Sequence, residues 1–188
     1  ERKPFVKLSG LGTRINTPQT RDLISRLNLA AITVLNNKND VLPLHPDLKE
    51  AAILNVGKPE EIEPFDRKMK KYTSFARFQL RKDLPEAEQQ KLRDSLAAYR
   101  RVIVTVTEQR LAPYQSFFAK FAPESPVIYV FYTPAKSMLQ IQRAVSAAEA
   151  VVLAHASRDD VQERVADLLF GKATADGRLS ASIGGLFP

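Results

Sequence analysis

Three runs of nearly continuous apolar residues limit the fold of this chain more than any other feature. They read RVIVTVT, PVIYVFY and EAVVLAHA, at residues 101–107, 126–132 and 149–156. Strands that helices cover on both faces of a parallel sheet have this composition, whereas a strand with one solvated face alternates apolar and polar residues. We therefore predict that these runs are buried strands of a mostly parallel sheet.

Amphipathic segments alternate with the apolar runs along the chain. They predict helices near residues 85–99, 112–121, 135–147 and 159–170. Two further strands are predicted, a buried one at residues 51–57 and a weaker, more exposed one at residues 73–80. Regular alternation of strands and helices is typical of α/β proteins. The sequence thus predicts a three-layer α/β/α sandwich with a mostly parallel sheet of five to six strands.

The N-terminal part of the chain is predicted to contain a connector and one helix. Residues 1–16 show no hydrophobic period and include Pro4 and two glycines, so we interpret them as a connector and assign residues 17–188 to the sandwich. The helix begins with Thr17 as its N-cap and Pro18 at its first position. The apolar residues Leu23, Leu27 and Val34 lie at helical spacing and extend the helix. The polar run Asn36–Asp40 is predicted to end it.

Composition excludes several classes of protein. A chain of 188 residues holds one domain of ordinary size, and the absence of cysteine excludes a disulfide, a thiol nucleophile and a cysteine metal site. No apolar run approaches the ~20 residues of a membrane helix. The net charge of +7 is densest in RKMKK, residues 67–71, but acidic residues are interspersed around it. This pattern favours a solvated or partner-facing helix surface over nucleic-acid binding, which stays as an alternative.

Candidate site residues lie where the predicted strands end, because ligands of open α/β sheets bind outside the carboxyl ends of the strands. Glu108 follows the strand at 101–107 and has the chemistry of a general acid, although a solvent-facing glutamate ahead of a helix fits this position better. His155 closes the last strand and Asp159 follows it, so both are candidates for contacting a ligand. We find no nucleophilic serine motif, no metal-ligand motif, and one glycine where a nucleotide-binding loop needs more. The sequence therefore shows no self-sufficient active site.

Two motifs at opposite ends of the predicted domain carry a family resemblance. AAITVLNNKNDVLPL, residues 30–44, resembles the segment that opens the C-terminal α/β/α sandwich of glycoside hydrolase family 3 enzymes. LLFGKATADGRLSASIGGLFP, residues 168–188, resembles the segment that closes it. The matching positions are Ile32, Thr33, Val34, Leu35, Asn36, Asn37, Asp40, Leu42, Pro43 and Leu44 in the first motif, and Gly171, Gly177, Arg178 and Leu179 in the second.

The resemblance implies a retaining hydrolase of terminal β-linked sugars, with no cofactor and no metal. Its aspartate nucleophile would lie on an N-terminal (β/α)₈ barrel, which needs ~250 residues and is therefore absent from this chain. The implied partners are that barrel, in the same polypeptide, and a β-linked glycan substrate. Since two groups about 5 Å apart carry out such a reaction, this chain alone is expected to be inactive. Periplasmic or extracellular localisation follows from the habit of the family.

The two branches of the family give Glu108 different roles. In the β-glucosidase-like branch a sandwich glutamate on a long loop acts as the acid/base, and Glu108 is the equivalent residue here. The β-N-acetylglucosaminidase branch takes its acid/base from an Asp–His pair on a barrel loop. Because the segment after Glu108 passes almost at once into the next helix, this sequence fits the second branch better.

Two further functions stay open beside the glycosidase reading. One is a stand-alone carbohydrate- or protein-binding module without catalysis. The other is a small-molecule enzyme that uses Glu108, His155 and Asp159 at the carboxyl edge of the sheet.

Overall fold

The protein is described by a computed structural model that covers residues 16–46, 48, 50–121, 126–179 and 182–187. The predicted connector, apart from Asn16, lies outside these residues. The helices are α1 Pro18–Ala30, α2 Glu63–Met69, α3 Glu86–Ala97, α4 Gln115–Lys120, α5 Gln142–Ala147 and α6 Asp159–Leu169. The strands are β1 Thr33–Asn37, β2 Ala51–Val56, β3 Phe75–Leu80, β4 Arg101–Val106, β5 Val127–Phe131 and β6 Ala150–Leu153. Turns of 3₁₀ helix cover Lys38–Asp40, Pro59–Ile62, Ala112–Tyr114 and Ala135–Ile141.

The six strands form one mixed sheet in the order β1-β6-β5-β4-β2-β3. Strands β2 to β6 are parallel to their neighbours, and β1 is antiparallel to β6. All residues of β2, β5 and β6 are buried, as the apolar runs predict, whereas the edge strand β3 is mostly half-buried. The predicted α/β/α sandwich is confirmed.

Each face of the sheet has its own hydrophobic core. On one face, side chains of α3, α4 and α5 pack on the strands, with Phe117, Phe118 and Tyr129 among the buried aromatic residues. On the other face, α2 and α6 cover the sheet, and Phe65 and Val165 lie at the centre of that cluster. Because strand residues point alternately to the two faces, the same apolar strands serve both cores.

The prediction that helix α1 continues to Asn36 is wrong. The helix ends at Ala30, and residues 33–37 form β1, which pairs Thr33 with Leu153 and Val34 with Val152. The β-branched side chains of this stretch favour a strand, and the open edge of β6 offers it a hydrogen-bonding partner. Tertiary pairing therefore overrides the helical spacing of the apolar residues.

The polar run after β1 is a turn that its own asparagine side chains hold together. Asn37 donates from Nδ2 to the carbonyl of Leu42 and accepts at Oδ1 from the Leu42 N–H, both at 2.9 Å. Asn39 and Asp40 have φ values of 54° and 50°, which asparagine and aspartate tolerate better than most residues. After the turn, Leu42 and Leu44 are buried while Pro43 is exposed. The polar residues of this run thus form the turn that connects β1 to the buried Leu42 and Leu44.

The two motifs that carry the resemblance contact each other. Leu44 N–H donates to the carbonyl of Leu169 at 2.6 Å, and a Cβ on Gly171 would lie 3.0 Å from the Pro43 ring. Gly177 N–H donates to the carbonyl of Ile32 at 3.1 Å. A Cβ on Gly177 would come within 2.6 Å of that same oxygen, so the close approach requires glycine. The opening and closing segments thus complete one edge of the domain together.

Candidate functional site at the carboxyl edge of the sheet

The sheet reverses its strand order at β2. The chain passes from β2 to β3 on one side, and the next strand, β4, lies on the other side of β2. In open α/β sheets the crevice outside the carboxyl ends at such a switch point is where ligands bind. Here the crevice is bordered by the segments that follow Val56 and Val106.

A row of polar side chains crosses the three strands next to this edge. Strand pairing places Asn55 opposite both Gln79 and Thr105. Asn55 Nδ2 donates to Gln79 Oε1 at 2.9 Å, and Thr105 donates to Asn55 Oδ1 at 3.2 Å. Gln79 Nε2 in turn donates to the carbonyl of Gly57 at 2.6 Å. The row stabilises the start of the loop after β2. This row was not predicted from the sequence, although each member is the one polar residue in the last two positions of its strand.

The two loops of the switch point are in tight contact. Gly57 has a φ of 142°, and a Cβ there would lie 1.9 Å from Thr107 Oγ1. The N–H groups of Thr107 and Glu108 both donate to the carbonyl of Val56, at 3.0 and 3.2 Å. Thr107 therefore fills the space beside Gly57 where a phosphate-binding loop would need room for its ligand.

Glu108 lies on a short loop whose backbone is held by hydrogen bonds to one side chain, that of Gln140. Gln140 Oε1 accepts from the N–H groups of Leu111 and Ala112 at 2.8 and 3.1 Å, and Gln140 Nε2 donates to the carbonyl of Gln109 at 2.9 Å. Glu108 Oε1 accepts from the Arg110 N–H at 3.1 Å. Because the 3₁₀ turn begins at Ala112, the segment after β4 stays close to the sheet edge.

The other two predicted site residues share this edge but lie apart from Glu108. His155 is exposed and follows β6, and β5 lies between β6 and β4, a separation of about 10 Å at ~4.8 Å per strand. Asp159 is exposed and is the first residue of α6. No hydrogen bond or ion pair joins these three described residues. They do not form a nucleophile–base pair in this chain.

His155 nevertheless has an unusual backbone. Its φ is 63°, and the N–H of Ala156 donates to the carbonyl of Ala154 at 2.7 Å, closing a tight turn around it. Although the residue as a whole is exposed, partial desolvation of its imidazole lowers the pKa from the ordinary value. Strained backbone at a non-glycine residue costs about 1–3 kcal/mol and is concentrated at functional sites. This strain is the feature that distinguishes His155 from an ordinary surface histidine.

Asp66 is a buried acid beside the carboxyl half of β2 and β3. It is 2% exposed, and Oδ2 pairs with Arg77 at 2.5 Å while Oδ1 has no hydrogen-bond partner. Burial raises its pKa to about 6, against the opposing effects of Arg77 and Lys70. Together with Asn55 and Gln79 it lines a cleft of about 150 Å³. Asp66 is a further candidate side chain that was not predicted from the sequence, since it directly precedes the basic segment 67–71 and was counted among the acids of a solvated helix surface.

We expect the Asp66→Asn variant to lose one pH dependence of stability. A folded-state pKa raised from 3.8 to about 6 gives stability that is fully present below pH 4 and lost as the pH rises through 6, by about 3 kcal/mol. Urea unfolding of both proteins at pH 4.5 and 7.5 should show about 2 kcal/mol of this change, because pH 4.5 already lies above the unfolded-state pKa. The exposed Asp22→Asn change on α1 is the control. A stability difference between wild type and Asp66→Asn that does not change with pH would contradict the expectation.

The basic segment at residues 67–71 is partly neutralised within the domain. Arg67 pairs with Glu163 at 3.6 Å, and Lys68 pairs with Asp167 at 3.0 Å, both on α6. The charged face of α2 therefore contacts α6 rather than forming a continuous positive surface. Of the described residues, no group of three or more histidine, aspartate or glutamate side chains is placed to hold a metal ion. Across the same ranges, every helix is too short or too polar to cross a membrane.

Known proteins resemble this chain in structure and not in sequence. No protein-family model matches the chain, and no curated protein matches it in sequence. A fungal multi-domain GH3 β-N-acetylglucosaminidase with a GCN5-related glucosamine N-acetyltransferase region matches 95% of this chain, with a TM-score of 0.66 and 16% identity. The β-glucoside phosphorylase BglX matches 94% with a TM-score of 0.62 and 16% identity. A β-glucosidase from Listeria innocua, in complex with isofagomine, matches 89% with a TM-score of 0.61 and 13% identity.

The matches cover a minor part of each of those proteins. This chain spans 21% of the fungal chain, 34% of the phosphorylase and 27% of the Listeria enzyme. At these identities the comparison establishes a shared fold, which by itself does not fix an activity.

Proposed function

We propose that the chain is the C-terminal α/β/α sandwich domain of a retaining family 3 glycoside hydrolase of the β-N-acetylglucosaminidase type. In this proposal the domain packs against an N-terminal (β/α)₈ barrel of the same polypeptide and helps to shape its active site, while the barrel carries the nucleophile. The observation that carries the proposal is that about nine-tenths or more of the chain matches one part of a GH3 β-N-acetylglucosaminidase, a β-glucoside phosphorylase and a β-glucosidase, while it spans only 21–34% of each.

The contact between the two sequence motifs supports this assignment. The glycines that match the closing motif, Gly171 and Gly177, lie against Pro43 and Ile32 of the opening motif. The two segments that resemble the family are far apart in the sequence but contact each other in the structure. A chance resemblance of two short segments would not require that they touch.

The exposed face of α1 supports a contact with another domain. Leu23, Ile24 and Leu27 are 49%, 42% and 60% exposed, and no residue of this helix is buried. Most of the stability of a helix in a protein comes from packing of its apolar face. A barrel that covers these three side chains would supply that packing.

The loop after β4 supports the β-N-acetylglucosaminidase branch. Gln140 holds the loop at three backbone groups, and Glu108 is engaged with the Arg110 N–H of its own loop. An acid/base that serves a sugar bound on another domain must extend away from its own sheet. The short, anchored loop does not give Glu108 that reach, so the acid/base in this proposal comes from the barrel.

Hydrolysis of chromogenic β-N-acetylglucosaminide and β-glucoside tests the proposal. We expect no activity from the 188-residue chain and activity from a gene product that includes whatever is encoded before Glu1. In that longer protein N-acetylglucosaminide should be preferred, and Glu108→Gln should leave kcat within about twofold, because a removed general acid would lower the rate about 10²-fold or more. Hydrolysis by the 188 residues alone, or the absence of an encoded barrel, would overturn the proposal.

A further inference from the structure

A second cleft lies at the opposite, amino edge of the sheet. It has a volume of about 430 Å³ and is formed where β4, β5 and β6 begin, beneath the segment that follows β1. Cavities of this size hold small molecules. The polar side chains that line it include Arg101, Asp40 and Glu149, and the apolar ones include Leu44, Leu48 and Pro126.

Arg101 is the residue in this cleft whose hydrogen bonding is incomplete. Its Nε and Nη1 atoms are buried and have no hydrogen-bond partner. Burial lowers the pKa of its guanidinium, and the charge of Glu149 only partly offsets this. A guanidinium stays charged in proteins, so each of these donors lacks compensation for the water that it has lost. The preceding residue, Arg100, differs: it is exposed and pairs with Glu50 at 3.0 Å.

The acids that share the cleft decide which ligand would be accepted. Glu149 accepts a hydrogen bond from Asn39 Nδ2 at 3.0 Å and forms no ion pair with Arg101, and Asp40 is exposed at the cleft. A simple anion would meet two carboxylates beside the one arginine. A simple cation would meet the guanidinium and leave its donors unpaired. A molecule that carries both charges matches all three groups.

We propose that this cleft is a binding site for a small zwitterion with a carboxylate next to an ammonium group, the class of a free amino acid with an apolar side chain. The carboxylate accepts a charge-assisted hydrogen bond from Arg101 where its guanidinium borders the cleft. The ammonium group donates to Asp40 and Glu149, and the apolar side chain lies against Leu44, Leu48 and Pro126. The site is separate from the carboxyl edge and does not depend on the function proposed above.

Isothermal titration calorimetry of the 188-residue chain with L-leucine tests the site. Two matched compounds each keep the apolar side chain and only one charged group of L-leucine. 4-Methylpentanoate lacks the ammonium group, and 3-methylbutylamine lacks the carboxylate. We expect L-leucine to bind and each half-ligand to bind at least about tenfold more weakly, which corresponds to the loss of one charged hydrogen bond. Failure of L-leucine to bind, or equal binding of 4-methylpentanoate, would overturn the proposal.

Two sets of variants identify the residues. Arg101→Met should weaken L-leucine binding about tenfold or more, while Arg100→Met, at the adjacent exposed arginine, should leave it unchanged. The Asp40→Asn/Glu149→Gln double variant should weaken L-leucine binding and tighten 4-methylpentanoate binding, because it removes the charges that repel a lone carboxylate. The double variant therefore tests the site even if Arg101→Met does not fold. Unchanged leucine affinity in the double variant or in folded Arg101→Met would reject the site.

Discussion

Replacing Gln162 by leucine is expected to lower the free energy of unfolding by about 4 kcal/mol. The side chain is 1% exposed and makes three hydrogen bonds, all to the backbone. Nε2 donates to the carbonyls of Glu61 and Ser157 at 2.8 and 2.9 Å, and Oε1 accepts from the Phe65 N–H at 3.2 Å. Leucine is of similar size but leaves all three groups buried without a partner, at about 1–3 kcal/mol each. Chemical denaturation of both proteins measures the difference.

The control for this variant is Gln90→Leu on α3. Gln90 is exposed, and its buried partner Arg93 keeps a hydrogen bond to Glu86 when Gln90 is replaced, so this variant should cost about 1 kcal/mol, well below the cost of Gln162→Leu. If Gln162→Leu were as mild as Gln90→Leu, the buried bonds would not be what joins the loop after β6 to the turn after β2.

Replacing Gly177 by alanine is expected to cost about 3 kcal/mol. The new Cβ would lie 2.4 Å from Thr33 Oγ1, 2.6 Å from the carbonyl of Ile32 and 2.8 Å from that of Ala31. Two of these contacts are with backbone, so a rotamer change cannot relieve them, and overpacking of a rigid site typically costs about 1–3 kcal/mol or more. Thermal unfolding should show a decrease of several degrees, at about 2–4 °C per kcal/mol for a chain of this size.

The matched control is Gly185→Ala. Gly185 also resists substitution through its φ of 75°, but a Cβ there meets nothing within 4 Å. This variant therefore isolates the cost of the left-handed backbone, about 1–2 kcal/mol, from the cost of the close approach. A Gly177→Ala protein that is as stable as Gly185→Ala would show that the strand beside it moves easily.

The fold was predictable from the sequence where local pattern and tertiary structure agree. Strands β2 to β6 and four of the helices lie where apolar runs and amphipathic periodicity predict them. Strand β1 was not predictable in this way. Its apolar residues have helical spacing along the chain, whereas the hydrogen bonds that make it a strand come from β6. The burial of helix α2 was also not predicted, because its charges suggested a solvated surface, yet Phe65 and Asp66 are buried.

The candidate site was less predictable than the fold. The sequence places Glu108, His155 and Asp159 at one edge but cannot give the strand order that separates them. The row formed by Asn55, Gln79 and Thr105 depends on register between strands that are far apart along the chain. The elevated pKa of Asp66 depends on burial, which no short stretch of sequence records.

The pairing of β1 with β6 has a consequence for how this domain folds. Thr33 meets its partner only when the chain has been synthesised beyond Leu153, and the segment around Gly177 joins them later still. Pairing of such distant segments carries a large loss of chain entropy before any contact forms. Until then β6 has an open edge, and open strand edges are sites of association between chains. Pairing with β1 thus ends the exposure of this edge of β6 to association with other chains.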